Sequence, residues 1–320
     1  MSELGSASTS GGTETVSGIK LRLPATSANL GSGFDSAAVA LDFFLDIEAS
    51  PAAEFSIDAS GRDARRCARL KDNLILENYT RLLEENRRRV VPLAIRMENG
   101  IPLGMGCGSS AAGRLAAITL AVHFGRLGWS GERILEEACA LEGHPDNAAA
   151  CWLGGFVAAA RDDSTVHVAR VKPPEEWRAI LVIPLQSLAT SKARAVLPVE
   201  YSRADAVANI QSAALLGLAF AQGRADLLRI AMRDRIHQPY RASMCSLLPR
   251  LLPLAGEGAI HGVALSGAGP AILAITASEE STEQARAQIR AALGEEADAE
   301  LLVCRFQPAG ASQLLEAKCI

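Results

Sequence analysis

At 320 residues and 49% hydrophobic, the chain is long enough for two domains, each with its own core. A formal net charge of -4 gives no general attraction to nucleic acid or to an anionic membrane, which leaves a small ligand as the expected partner. The cysteines, at 67, 107, 139, 151, 245, 304 and 319, are odd in number and lack metal-type spacing, so a reduced, cytoplasmic protein is expected.

Residues 1–17 carry neither a basic start nor an apolar leader and read as a disordered tail. No apolar run reaches the roughly 18 residues of a membrane span. "GIKLRLPATSA" alternates as a strand, and "VALDFFLDIEAS" reads as a mostly buried one. "DNLILENYTRLLEENRRR" places Leu74, Leu76, Tyr79, Leu82 and Leu83 at helical spacing, with arginines matched to the dipole at its end. In "IPLGMGCGSSAAGRLAAITLAVHF", residues 101–124, a glycine loop opens a helix for which Ser109 and Ser110 are candidate N-caps. "GERILEEACALEG" is a further helix, and "GGFVAAARDD" and "STVHVARV" pair as strands. "VKPPEEW" marks a boundary between a first domain, 18–172, and a second, 173–320. Beyond it come a strand, "RAILVIPL", helices over about 203–250, and "GVALSGAGPAILAITA", a strand, a glycine turn and another strand or helix. "STEQARAQIRAAL" and "LLVCRF" close the chain as helix and strand. Without a regular βαβ period, this order implies an α+β fold of two domains meeting at a cleft.

Four polar, glycine-bearing stretches interrupt these apolar elements. Gly104, Gly106 and Gly108 can take positive φ and bring backbone N–H groups around an anion at a helix N-terminus, a phosphate first and a buried carboxylate second. A plain capped turn would use the same residues. No Lys-Ser or Lys-Thr follows, so this is not a Walker A loop. In "PATSANLGSGFD" a tight turn can bring Asn29 and Asp35 together. "EGHPDN" gathers Glu142, His144, Asp146 and Asn147, with carboxylates suited to magnesium and proton transfer. "LSGAGPA" allows close approach to a ligand or to the first glycine loop.

"PLGMGCGSSAAG" resembles the phosphate loop P-x-x-x-G-x-G-S-S-A-A of the GHMP small-molecule kinases, and "LSGAGPA" is similar to that family's third motif. "PATSANLGSGFDSAAVALD", "EGHPDNAAACWLGGF", "ATSKARAVLP" and "HQPYRA" resemble its homoserine kinase branch, the matches running from about residue 20 to 275. The resemblance implies an N-terminal domain like ribosomal protein S5 domain 2, a ferredoxin-like C-terminal domain, and ATP-dependent phosphorylation of the L-homoserine hydroxyl in threonine biosynthesis. It further implies magnesium and a homodimer. By the same resemblance, Pro102, Leu103, Gly104, Met105, Gly106, Cys107, Gly108, Ser109, Ser110, Ala111 and Ala112 bind the nucleotide, with Gly104, Gly106, Gly108, Ser109 and Ser110 wrapping the triphosphate, and Asn73 borders the adenine. Ser110 and Glu142 hold magnesium, with Glu136 and Glu137 as rivals. Asn29, Asp35, His144, Thr190, Arg194, Arg241 and Gly267 line the substrate, and Asp146 and Asn147, with Asn29, stand at the reacting hydroxyl. Met105 and Cys107 depart from the Arg and Leu that many members carry. Two alternatives remain: a GHMP kinase acting on a sugar or mevalonate-like alcohol, and a sensor of the same fold that transfers nothing.

Overall fold

The structure, a computed structural model, describes residues 17–294 and 298–317, so the tail expected over 1–17 lies outside the described residues but for Ser17. The first unit comprises β1 (Ile19–Asn29), β2 (Gly33–Pro51), β3 (Ser56–Gly61), α1 (Ala64–Cys67), α2 (Leu74–Glu85), β4 (Leu93–Asn99), α3 (Ser109–Phe124), α4 (Gly131–Glu142), α5 (Asp146–Leu153), β5 (Phe156–Asp162) and β6 (Thr165–Val171). Its strands pair in the order β1-β2-β4-β3, with β5 on β2 and β6 on β5, and β3 runs parallel to β4. α3 is apolar nearly all round and is buried nearly all round. The helix at 74–85 buries Ile75, not Leu74, beside Leu76, Tyr79, Leu82 and Leu83. β3 was not among the expected strands, because "SIDASG" is polar and largely exposed.

The second unit comprises β7 (Arg178–Pro184), α6 (Thr190–Ala195), α7 (Arg203–Gln222), α8 (Leu228–Ala231), α9 (Gln238–Arg241), α10 (Leu248–Leu251), β8 (Gly262–Leu265), β9 (Ile272–Thr276), α11 (Ser281–Leu293) and β10 (Ala299–Arg305). An antiparallel sheet in the order β10-β7-β9-β8 with helices between its strand pairs is a ferredoxin-like layout. The expected helical stretch over 203–250 is one long helix followed by single turns, where Pro239 and Pro249 each start a short helix anew. Among the described residues, α7 alone is long and apolar enough to cross a membrane by length and composition. It packs Leu216, Ala219 and Phe220 into the core, and its buried Asn209 donates to Ser32 O at 2.8 Å, so it is an element of the fold.

The chain then returns to the first unit. Leu41 and Phe306 form a bridge, Ala311 N–H donates to Cys151 O at 2.9 Å, and β11 (Glu316–Ala317) pairs with β1. A division at 172/173 does not contain this last crossing.

Candidate active site

The glycine loop between β4 and α3 is held from both units. Leu103 N–H donates to Asp63 Oδ2 at 3.2 Å, and Thr26 N–H to Cys107 O at 3.1 Å. From the second unit, Ala271 N–H donates to Met105 O at 3.2 Å, Leu188 N–H to Gly104 O at 3.2 Å, and Ser266 Oγ to Gly106 O at 2.8 Å. The two glycine stretches therefore touch each other. Gly106, at φ 79°, lies where a Cβ would come 2.1 Å from Ser266 O, so this contact requires glycine.

Ser109 and Ser110 are not caps. Gly108 is the N-cap, at φ 74° and without a side-chain cap bond, and the serines are the first two helical residues. The first N–H groups of α3 are therefore left to face the cleft lined by Gly106, Gly108, Ser109, Ser110 and Ala111. Ala112 closes the first helical turn onto Gly108 O. Cys107 lies beneath the loop, its thiol pushed up to about 12 by burial, so it acts as an apolar filler.

α4 ends at Glu142 with Gly143 in the left-handed conformation, and Pro145 starts α5, so the "EGHPDN" turn projects its polar groups into the same cleft. His144 Nδ1 lies 2.6 Å from Asp146 Oδ1, and since a carboxylate only accepts, Nδ1 carries the proton. Burial lowers the His144 pKa, but the bond and charge of Asp146 outweigh it and the net shift is upward. Asn147 N–H donates to the same Asp146 oxygen at 2.7 Å, and Thr26 Oγ1 donates to Asn147 Oδ1 at 2.7 Å. Ser110 Oγ donates to Glu142 Oε1 at 2.8 Å. Two hard oxygen ligands side by side fit a divalent cation such as Mg²⁺. Glu136 and Glu137 point elsewhere: both pair with Arg133, and Glu137 also with Arg81, and neither lines the cleft. Asp35, His144 and Asp146 also bring ligand atoms within 4.8 Å of one another, but Asp35 is taken by Arg194 and His144 by Asp146.

The opposite wall comes from both units. Asn29, at φ 68°, turns the β1–β2 hairpin, accepting from Asp35 N–H at 3.0 Å and donating to Gly267 O at 2.8 Å. Asp35 takes a bidentate pair from Arg194 of α6, at 2.6 and 2.9 Å. Thr190, at the start of α6, lines the cleft beside it. Arg241 is 1% exposed; its Nε donates to Ala193 O at 2.9 Å and its Nη1 to His237 Nδ1 at 3.0 Å. Because Arg241 only donates, His237 is the neutral tautomer, its Nε2–H bonded to Gly31 O at 2.9 Å, and burial lowers its pKa. The Phe34 ring stacks on His237, with both guanidinium groups within 5.6 Å of its centre. Neither Phe34 nor Arg114, described below, was expected from the sequence.

Asn73 lies apart from this cleft. Its side chain caps α2, accepting from Ile75 and Leu76 N–H, and donates to the Cys67 and Arg69 carbonyls. It borders a cavity of about 190 Å³ that also takes in Leu45, Met97, Ile101, Leu103 and Ser109.

The sequence matches the family models for the GHMP kinases N terminal domain over residues 73–155 and GHMP kinases C terminal over 218–295. A homoserine kinase of Solibacter usitatus is 45% identical over 254 residues, 79% of this chain and 83% of its own. One from Thermus thermophilus is 42% identical over 275 residues, 84% of this chain and 90% of its own. The crystal structure of a homoserine kinase from Cytophaga hutchinsonii superposes with a TM-score of 0.79 at 24% identity, covering 96% of this chain and 99% of that one, a likeness of fold. The chain belongs to the GHMP kinase family, among its homoserine kinases.

Proposed function

We propose that this chain transfers the γ-phosphoryl group of ATP to the side-chain hydroxyl of L-homoserine, making O-phospho-L-homoserine for threonine biosynthesis. The carrying observation is the charge pair across the cleft. Asp35 and Arg194 satisfy each other at 2.6 Å, beside the buried Arg241. A free amino acid carries the same two charges: its ammonium can take the place of Arg194 on Asp35, and its carboxylate the place of Asp35 on Arg194. A neutral sugar offers neither charge, and mevalonate offers only a carboxylate, which could take Arg194 only by leaving Asp35 without a partner, so neither replaces both halves of the pair.

In this reading, the N–H groups at the start of α3 and the positive-φ glycines cradle the polyphosphate, and the base enters the cavity beside Asn73. Ser110 and Glu142 hold Mg²⁺, which when bound supplies charge neutralisation on the transferred group. Asp146, fixed by His144 and by Asn147 N–H, accepts from the homoserine hydroxyl and aligns it with the γ-phosphate. Because phosphoryl transfer of this kind needs positioning more than a strong base, alignment is enough: the hydroxyl proton leaves late, through Asp146 to solvent, as the new P–O bond forms and the bond to ADP breaks. We place the reaction in the cytoplasm, in keeping with ATP use and with the unpaired described thiols. A homodimer has a candidate surface in the apolar stripe of Val207, Ile210 and Leu218 on α7.

Phosphorus NMR of the protein with Mg²⁺ and ATP and, in turn, L-homoserine, mevalonate and galactose tests the assignment. A new phosphate monoester is expected with homoserine alone. A monoester with mevalonate or galactose and none with homoserine overturns the substrate, and none with any of them overturns the transferase reading.

A further inference from the structure

Arg114 sits one turn beyond Ser110 on α3, so its side chain runs back toward the helix N-terminus and the glycine loop. Its Nη1 donates to Ser110 Oγ at 3.0 Å and also to Glu142 Oε1, the oxygen on which Ser110 Oγ closes at 2.8 Å. The Glu142 side chain is only 7% exposed and that of Arg114 24%, so the pair is shielded from water. The oxygens assigned to Mg²⁺ are thus already held by a cation that belongs to the protein.

A shielded carboxylate without a counter-charge is unfavourable, and Arg114 supplies that charge when no metal is bound. A magnesium ion on the Ser110 and Glu142 side chains brings a second cation onto the two groups that Arg114 Nη1 already holds, and the repulsion between ion and guanidinium opposes their sharing them. Arg114 must then move, and the anion nearest its reach is a polyphosphate at the start of its own helix.

Resting on the metal position proposed above, we propose that Arg114 is an internal placeholder cation. It holds Glu142 in the nucleotide-free protein, yields it to the metal, and then pairs with the polyphosphate. Metal and nucleotide binding are thereby coupled: metal alone must break an ion pair, whereas metal arriving with polyphosphate gives Arg114 a new partner.

The test uses Mn²⁺ as the metal probe, followed by its electron paramagnetic resonance, and inorganic tripolyphosphate in EDTA as the anion probe, followed by calorimetry. Arg114→Met should bind Mn²⁺ about tenfold more tightly than the unaltered protein without nucleotide, and tripolyphosphate about tenfold more weakly. Arg114→Lys, keeping charge but not the fork, should fall between. Unchanged Mn²⁺ affinity, or unchanged tripolyphosphate affinity, in Arg114→Met overturns the placeholder. Glu142→Gln separates the two claims: if it leaves Mn²⁺ binding intact both alone and combined with Arg114→Met, the metal position itself is wrong. If it weakens Mn²⁺ binding while Arg114→Met changes nothing, the metal position stands and the placeholder falls.

Discussion

At the scale of single residues, the site is a set of charges that hold one another in place. His144 binds its proton more tightly in the folded protein than in the unfolded chain, so its contribution to stability is complete below about pH 6.5 and fades as pH rises through the higher folded value. In an NMR titration its ring protons should turn over above 6.5, and in Asp146→Asn, where burial is the largest remaining influence and the opposed charges of Asp35 and Arg194 are smaller, below 6.5. A midpoint indifferent to Asp146→Asn would mean that the 2.6 Å contact does not govern the ring. The two arginines differ in kind. Arg194 is 38% exposed at its side chain, so Arg194→Leu should change stability by less than about 1 kcal/mol. Arg241→Leu leaves Ala193 O and His237 Nδ1 unpaired and should cost about 1–3 kcal/mol. Losing a charged hydrogen bond worth roughly 1.5–3 kcal/mol, each variant should also lose about ten- to a hundredfold in kcat/KM for homoserine. Steady-state kinetics with both substrates varied, beside urea unfolding, checks all of this. A tenfold rise in the ATP KM with that for homoserine unmoved would assign the arginines to the nucleotide instead.

At the scale of elements, the two glycine stretches form one clasp, and substitutions can separate its backbone strain from its contact. Gly128 has φ 68° with nothing within 4 Å of a would-be Cβ, so Gly128→Ala should cost only the left-handed strain, about 1–2 kcal/mol. Gly106→Ala adds a collision with the Ser266 carbonyl and should cost more, and should weaken tripolyphosphate binding about tenfold while Gly128→Ala leaves it unchanged. Urea unfolding and calorimetry decide, and equal losses in the two variants would make the contact between the loops dispensable. This clasp was legible in the sequence because positive φ has a local signature in glycine. So was the "EGHPDN" turn, where Pro145 stops one helix from running into the next. Arg114 was not legible, since its meaning lies in Glu142, 28 residues on and on another helix. For Asn73 the residues themselves show only a helix cap before "LILEN", not the cavity beside it.

At the scale of the molecule, two α+β units could be read from the irregular order of strands and helices, whereas the four-strand antiparallel sheet was legible only through the resemblance, since its core is split between its two faces, α7 and α8 packing on one and α10 and α11 on the other. The final crossing could not be read, because it rests on backbone bonds from residues 307, 311 and 312 and on a strand of two residues. Phe306 anchors it, 8% exposed and edge-on to Phe220 at 6.0 Å. Phe306→Ala should therefore cost about 3–5 kcal/mol in urea unfolding, whereas Arg62→Ala, which removes a half-exposed ion pair to Glu300 between the units, should cost under about 1 kcal/mol. If Arg62→Ala proves the costlier, the units are joined by charge and not by the returning chain. That return also sets a schedule for biogenesis. On the ribosome the first unit emerges early, yet the start of β1 at Ile19 and Lys20 and the backbone at Ala40, Cys151 and Trp152 stay unmatched until residues 306–317 follow. An exposed strand edge invites wrong partners. A chain truncated before residue 306, which keeps both sheets but lacks the return, should thus aggregate, and the enzyme should resist being split into two co-expressed pieces at the boundary between its sheets.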